Sequence, residues 1–165
     1  MTKKFFQNLK DVVIFTFSTS SSSASIPFTL KAAEEKYGID KSIGTFTVPL
    51  GATINMDGTA IMQGCATFFL ASIYGIDLGI NEIVTIVITA TIASIGTAGI
   101  PSAGIIMLTV IFTQIGIPLE GITLLLGVDR LLDMMRTSVN VSGDICISCV
   151  IASSENKINE SVFNS

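Results

Sequence analysis

Asp129, Asp133, Arg136, Asn140 and Asp144 are spaced so that a helix brings them to one side. At about 100° per residue the five share a stripe roughly 80° wide. The chemistry open to such a stripe is specific. A carboxylate such as Asp133 holds an ammonium group, and the guanidinium of Arg136 grips a carboxylate through two parallel hydrogen bonds. Around the stripe, from about Ile122 to Ala152, the sequence is Leu, Ile, Val, Met, Cys and small residues. A soluble amphipathic helix gives a polar face to water and an apolar face to a core. Here the apolar side dominates, so the stripe reads as one wall of a polar site inside a membrane protein.

Composition agrees with that placement. Hydrophobic residues are 49% of the 165-residue chain and charged residues 13%, against roughly 25% charge in an ordinary soluble domain; mean hydropathy is +0.70. Ile83 to Leu119 holds no charged residue, and Ser42 to Ile76 holds only Asp57. The net charge of −4 argues against a nucleic-acid partner. With no histidine, a histidine proton relay, a histidine zinc site and a Ser-His-Asp triad are excluded. Cys146 and Cys149 form a C-x-x-C pair, but they sit three apart on an apolar helix with no second pair, and read as packing residues beside Cys65. No enzymatic chemistry and no cofactor are expected.

The elements that must position the stripe follow from breaks in the apolar pattern. Lys3, Lys4 and Lys10 precede Val12–Phe17, a run too short for a signal-peptide core of about 7–15 residues. The serine run Ser18–Ser25 then reads as the tip of a first helical hairpin over 12–36, with Pro27 opening the returning helix and Ser25 near its N-cap. Residues 43–73 form a long apolar helix interrupted at Asn55-Met56-Asp57-Gly58-Thr59. A charge at mid-membrane costs about 2.5–3.5 kcal/mol on insertion scales, and Gly weakens a helix by about 1 kcal/mol relative to Ala. The helix is therefore expected to unwind there, where protein satisfies the freed backbone. A second hairpin spans 83–115, with Asn81 as cap, a glycine-rich tip from Ser94 to Gly104, and Pro101 before the returning half. The last helix covers 122–152, and 153–165 is a polar tail expected to be mobile.

Hairpin, then a long helix with polar groups inside the membrane, occurs twice. Seven of the nine basic residues (Lys3, Lys4, Lys10, Lys31, Lys36, Lys41, Lys157) fall on one side, which is then cytoplasmic. The first hairpin enters from that side and the second from outside. The expected fold is an all-α, multi-pass plasma-membrane protein: two re-entrant helical hairpins and two long transmembrane helices, one of them broken, in an inverted repeat. Half-helix N-termini meeting near the midplane favour an anionic group. Bare carbonyls at the breaks suit a small hard cation. An ammonium on Asp133, one carboxylate at a helix end and a second on Arg136 describe an acidic amino acid.

Four motifs, in this order, resemble the glutamate transporter family of sodium- or proton-coupled dicarboxylate and amino-acid symporters: Ser20-Ser-Ser-Ser, Asn55-Met-Asp-Gly-Thr59, Ser94-Ile-Gly-Thr-Ala-Gly-Ile-Pro101 and Asp133-Met-Met-Arg-Thr-Ser-Val-Asn-Val-Ser-Gly-Asp144. Members of this family are themselves among the examples of the inverted-repeat architecture. The resemblance covers about Phe5 to Ser153 and implies symport of aspartate, glutamate or a C4-dicarboxylate. It implies substrate contacts from the Ser20 carbonyl, Ser22 and Thr59, from backbone groups of Ile100 and Gly104, and from Asp133, Arg136, Thr137 and Asn140. It implies one sodium site of Asp144 with carbonyls of Gly51, Asn55 and Asn140. A second would use carbonyls of Thr53, Ser94, Ile95 and Thr97, and a third would use Asn55 and Asp57. The second hairpin would be the outer gate.

Two departures matter. Family members carry a bracing arginine before the serine run or beside the aspartate of the last helix; Ser20 and Met134 stand there instead. Asp144 is an acid where proton-coupled members have Asn, so sodium coupling is expected over protons. The family also has six earlier membrane helices, including a scaffold that forms a homotrimer, so the chain reads as the C-terminal, transport-core part of such a protein, 1–152. The alternatives are a non-transporting membrane fragment, half of a split transporter that binds substrate with a separate N-terminal part, and a soluble helical interaction domain.

Overall fold

The serine run is where the chain first turns back on itself. In the computed structural model, which describes residues 2–164, α1 (Thr2–Thr19) ends at Ser20, and α2 (Ser22–Tyr37) begins two residues later. Ser20 adopts φ 51°, in the left-handed region that costs a non-glycine residue energy. The Ser21 side chain caps α2 by accepting the Ala24 N–H at 3.1 Å. Pairings of Tyr37 with Phe5, Phe28 with Phe15 and Ser25 with Thr19 run antiparallel, so α1 and α2 are a hairpin. Pro27, expected to open α2, lies inside it. The cap moved upstream because Ser21 takes the extended conformation that an N-cap needs, with φ −143° and ψ 110°.

Asp40 caps the next helix, α3 (Lys41–Ile54). Its carboxylate accepts hydrogen bonds from the Ser42 hydroxyl and N–H, which hold it below the usual aspartate range. The chain unwinds at Asn55-Met56 and resumes as α4 (Asp57–Ile73), so the break falls inside the expected motif. The second hairpin is α5 (Ile80–Ile95) and α6 (Ala103–Ile115), each longer than expected. Gly79, not Asn81, occupies the N-cap position of α5; the Asn81 carbonyl instead accepts from the Thr85 hydroxyl. Pro101 precedes α6, and Ser102 before it has φ 61°. A 3₁₀ turn (Leu119–Gly121) leads into α7 (Ile122–Ser154), and α8 (Glu160–Phe163) closes the chain. Met1 and Ser165, the outer limits of the expected regions, lie outside the described residues.

Among the described residues there is no strand; one isolated bridge joins Ile39 and Ile158. α7 is the axis, packing on both hairpins and on α3 and α4. Two apolar clusters flank its middle. One joins α4, α5 and α6 through Leu70, Ile86, Leu108, Ile111 and Phe112, all fully buried; burying each such side chain contributes about 1.5–3 kcal/mol. The other joins α1, α2 and the far half of α7 through Val12, Tyr37, Val141 and Ile145. The polar stripe of α7 lies between them.

No helix among the described residues is both long enough and apolar enough to cross a membrane by itself. The breaks are the reason for four of them. α3, α4, α5 and α6 have 14, 17, 16 and 13 residues, which reach about 20–26 Å against a hydrocarbon core of about 30 Å. α7 has 33 residues but carries the stripe.

Candidate functional site

The helical stripe is buried along its whole length: Asp129 is 5% exposed, Asp133 2%, Arg136 5%, Asn140 3% and Asp144 2%. Arg130, between the first two, faces outward and is exposed. Asp133, Arg136, Asn140 and Asp144 each meet a chain break on another element.

Asn140 meets the break between α3 and α4. Met56, at the N-cap position of α4, has no capping side chain. The Asn140 side-chain carbonyl takes over, accepting the Gly58 N–H at 2.8 Å and the Thr59 N–H at 3.3 Å. Its amide donates to Thr59 Oγ1 and to Met56 Sδ, both at 3.2 Å. Gly58 is required by this contact: a Cβ there would lie 2.5 Å from the Arg136 carbonyl.

Asp133 and Arg136 meet the second tip. Asp133 Oδ2 accepts the Ser102 N–H at 2.7 Å, capping the start of α6. Its other oxygen accepts from Arg136 Nε at 3.1 Å and from Arg136 Nη2. Arg136 Nη1 is buried with no hydrogen-bond partner. A Cβ on Gly104 would overlap that nitrogen, so the glycine makes the space in which the guanidinium sits. The two tips are joined at Gly99, whose carbonyl accepts the Ser21 hydroxyl at 2.8 Å and the Ser23 N–H at 3.1 Å.

All nine residues expected to touch substrate, Ser20, Ser22, Thr59, Ile100, Gly104, Asp133, Arg136, Thr137 and Asn140, line one narrow cavity of about 10 Å³. That is room for about one water molecule. An amino acid enters only if a wall moves. Ser20 Oγ, like Arg136 Nη1, is a buried polar atom without a partner.

The expected cation ligands fall into two groups. Asn55 Nδ2 donates to Asp144 Oδ1 at 3.0 Å and to the Asn140 carbonyl at 3.4 Å. Asp144 Oδ2 is buried without a partner, and Gly51 packs directly against this carboxylate with no space for a side chain. Asp57 lies on the same side, 3.0 Å from where a Gly143 Cβ would stand. A buried carboxylate oxygen without a partner, beside a backbone carbonyl that shares the Asn55 amide with it, is a donor set that fits a hard cation. The other group is looser. The Thr53, Ser94 and Thr97 hydroxyls each bond back to their own helix, and Ile95 is 49% exposed. Among the described residues no hydrogen bond joins Thr53 to Ser94, Ile95 or Thr97.

Sequence reasoning missed Met56, Ser21, Gly99, Ser102 and Gln63. Gln63 is fully buried, and its amide donates to the Gly104 carbonyl at 3.2 Å, leaving Oε1 without a partner. A signal was available: Thr59, Gln63 and Thr67 recur every four residues in an apolar helix and so share a face.

The profile of the sodium:dicarboxylate symporter family matches residues 1–154. The chain is 49% identical over 140 residues to excitatory amino acid transporter 1 of Rattus norvegicus, covering 85% of this chain and 26% of that protein. It is 48% identical over 141 residues to excitatory amino acid transporter 3 of Mus musculus, covering 86% and 27%. With excitatory amino acid transporter 2 of Homo sapiens the identity is 49%, covering 85% and 24%. The chain thus spans about a quarter of the length of these relatives. A match over almost the whole sequence, carrying the tips, the break and the stripe together, means that this chain belongs to the sodium:dicarboxylate symporter family.

Proposed function

We propose that this chain forms the substrate- and cation-binding core of a sodium-coupled symporter for an acidic amino acid or dicarboxylate, such as aspartate or glutamate. It works as a multi-pass protein of the plasma membrane, with both hairpins re-entrant. The observation that carries the reading is the buried, unpartnered Arg136 Nη1 facing a cavity walled by both tips and the helix break. A buried, unpaired guanidinium nitrogen attracts a carboxylate, because leaving such a group unsatisfied costs about 1–3 kcal/mol or more.

In this reading Asp133 exchanges its hydrogen bonds with Arg136 for the substrate ammonium. Arg136 then turns both of its free edges to the side-chain carboxylate. Ser20, Ser22 and the backbone near Ile100 and Gly104 receive the other carboxylate at the tips, with Thr59, Thr137 and Asn140 completing the wall. Sodium is cargo here. Asp144 with the carbonyls of Gly51, Asn55 and Asn140 forms its principal site; Asn55 with Asp57, and Thr53 with Ser94, Ile95 and Thr97, form further ones.

Exposed apolar side chains support the membrane setting. Val84, Val87, Ile88 and Ile92 on α5 are 49, 57, 54 and 66% exposed, and Leu124, Leu126 and Leu131 on α7 are 53, 57 and 61% exposed. Apolar surface of that extent is rare on a soluble monomer. The same faces favour a second reading, in which this region binds substrate while translocation needs further helices packed against it.

The test is binding of radiolabelled aspartate to the full chain in lipid nanodiscs, with and without sodium. Sodium-dependent binding is expected. Arg136→Cys should weaken aspartate binding about 10- to 150-fold, the loss of about 1.5–3 kcal/mol for a hydrogen bond to a charged group. Equal aspartate binding by the variant would sink the assignment. Uptake into sealed liposomes separates the two readings.

A further inference from the structure

The two hairpins are anchored differently. Among the described residues, hydrogen bonds from the second hairpin to other elements lie at its tip end, at Gly99, Ser102 and Gly104. Its base is held by apolar packing, and Ile80 there is 81% exposed. The first hairpin is tied at its base as well, by the segment after α7.

That segment folds back instead of trailing away. The Asp40 N–H donates to the Lys157 carbonyl at 3.0 Å, and the Asn159 N–H donates to the Gly38 carbonyl at 2.8 Å. Gly38 has φ 63°, and the Asn159 carbonyl occupies the place a Cβ would take. Asn159 caps α8, which delivers Phe163 into the apolar cluster at 5% exposure, with its ring 6.1 Å from that of Tyr37. Tyr37 is fully buried and donates to the Phe5 carbonyl at 3.1 Å, so the tail reaches both arms of the hairpin. Near the tip end of α1, Thr16 and Ser138 of α7 meet at 3.4 Å, a second attachment of this hairpin.

We propose that residues 155–164 are a staple: they bind the first hairpin to α7 as one body, the fixed wall against which the second hairpin, the outer gate that the family resemblance implies, would open. α2 has 16 residues, so the staple lies about 24 Å from the serine tip and acts through a rigid helix. The assignment deepens the transport reading and rests on it, because it treats the two tips as walls of a transport site.

The experiment is hydrogen exchange by mass spectrometry on the full chain in nanodiscs, against a variant ending at Asn156. The shortened variant should exchange α1 and α2 amides at least about tenfold faster while α5 and α6 stay unchanged, since local opening follows the lost contacts. Phe163→Leu, which keeps an apolar anchor, should retain most of the protection. If the shortened variant does not fold, Phe163→Ala removes the buried anchor from the cluster and is read in the same way. Unchanged exchange in α1 and α2, or equal loosening of both hairpins, overturns the proposal. Aspartate binding is measured on the same wild-type sample; its failure would strike the transport reading and leave the exchange result standing.

Discussion

Arg136 shows how one side chain depends on a residue that has none. Its guanidinium fits only because Gly104 lacks a Cβ. Gly104→Ala should therefore push Arg136 aside and weaken aspartate binding about tenfold or more while α6 still forms, since Ala is the better helix residue. Binding and thermal melting measured together check both halves of that statement. Asp144 is the counterpart on the proposed cation side, with Oδ2 buried and unpartnered. Asp144→Asn removes the charge and keeps the shape, so aspartate binding should require several-fold more sodium; an unaltered sodium titration would remove Asp144 from the site. The stripe was legible because helix periodicity alone groups its residues. The roles of Gly51, Gly58 and Gly104 were not, because a glycine's value there lies in what approaches it from another element.

At the scale of elements, the breaks were legible and the caps were not. Asn55 to Thr59 and Ser94 to Gly104 interrupt apolar runs with residues that a continuous membrane helix does not favour, and the structure breaks in both places. The capping of α4 by Asn140 and of α6 by Asp133 joins residues 82 and 31 apart in sequence, and local pattern carries no trace of such a partner. Ser21 is the exception, a local cap that also bonds to Gly99 across the tips. Ser21→Ala should cost about 0.5–2 kcal/mol as a lost cap. It should also loosen the tip contact, read as a lower melting temperature and faster exchange at both tips.

For the molecule as a whole, charge distribution supports the orientation of the proposed membrane reading. Lys31, Lys36, Lys41 and Lys157 gather at one end with the tail, and the Tyr74 to Glu82 and Gly116 to Gly121 turns carry no basic residue. In a background without native cysteines, a membrane-impermeant thiol reagent applied outside cells should label Asp77→Cys and spare Lys41→Cys. Labelling of both from one side would end the inverted-repeat reading. The tail was the least legible part of the fold. Its composition is polar, and its anchor rests on one buried phenylalanine and two backbone bonds to a distant loop.

Asn140 stands in both halves of the site: its side chain fastens Gly58 and Thr59, and its main-chain carbonyl receives the Asn55 amide beside Asp144. A group shared by two ligands makes their binding energies interdependent, and that dependence is reciprocal by thermodynamic necessity. Whatever factor sodium adds to the affinity for the amino acid, the amino acid must return to sodium. In the proposed reading, the external sodium concentration then sets how dilute an external amino acid the site fills with.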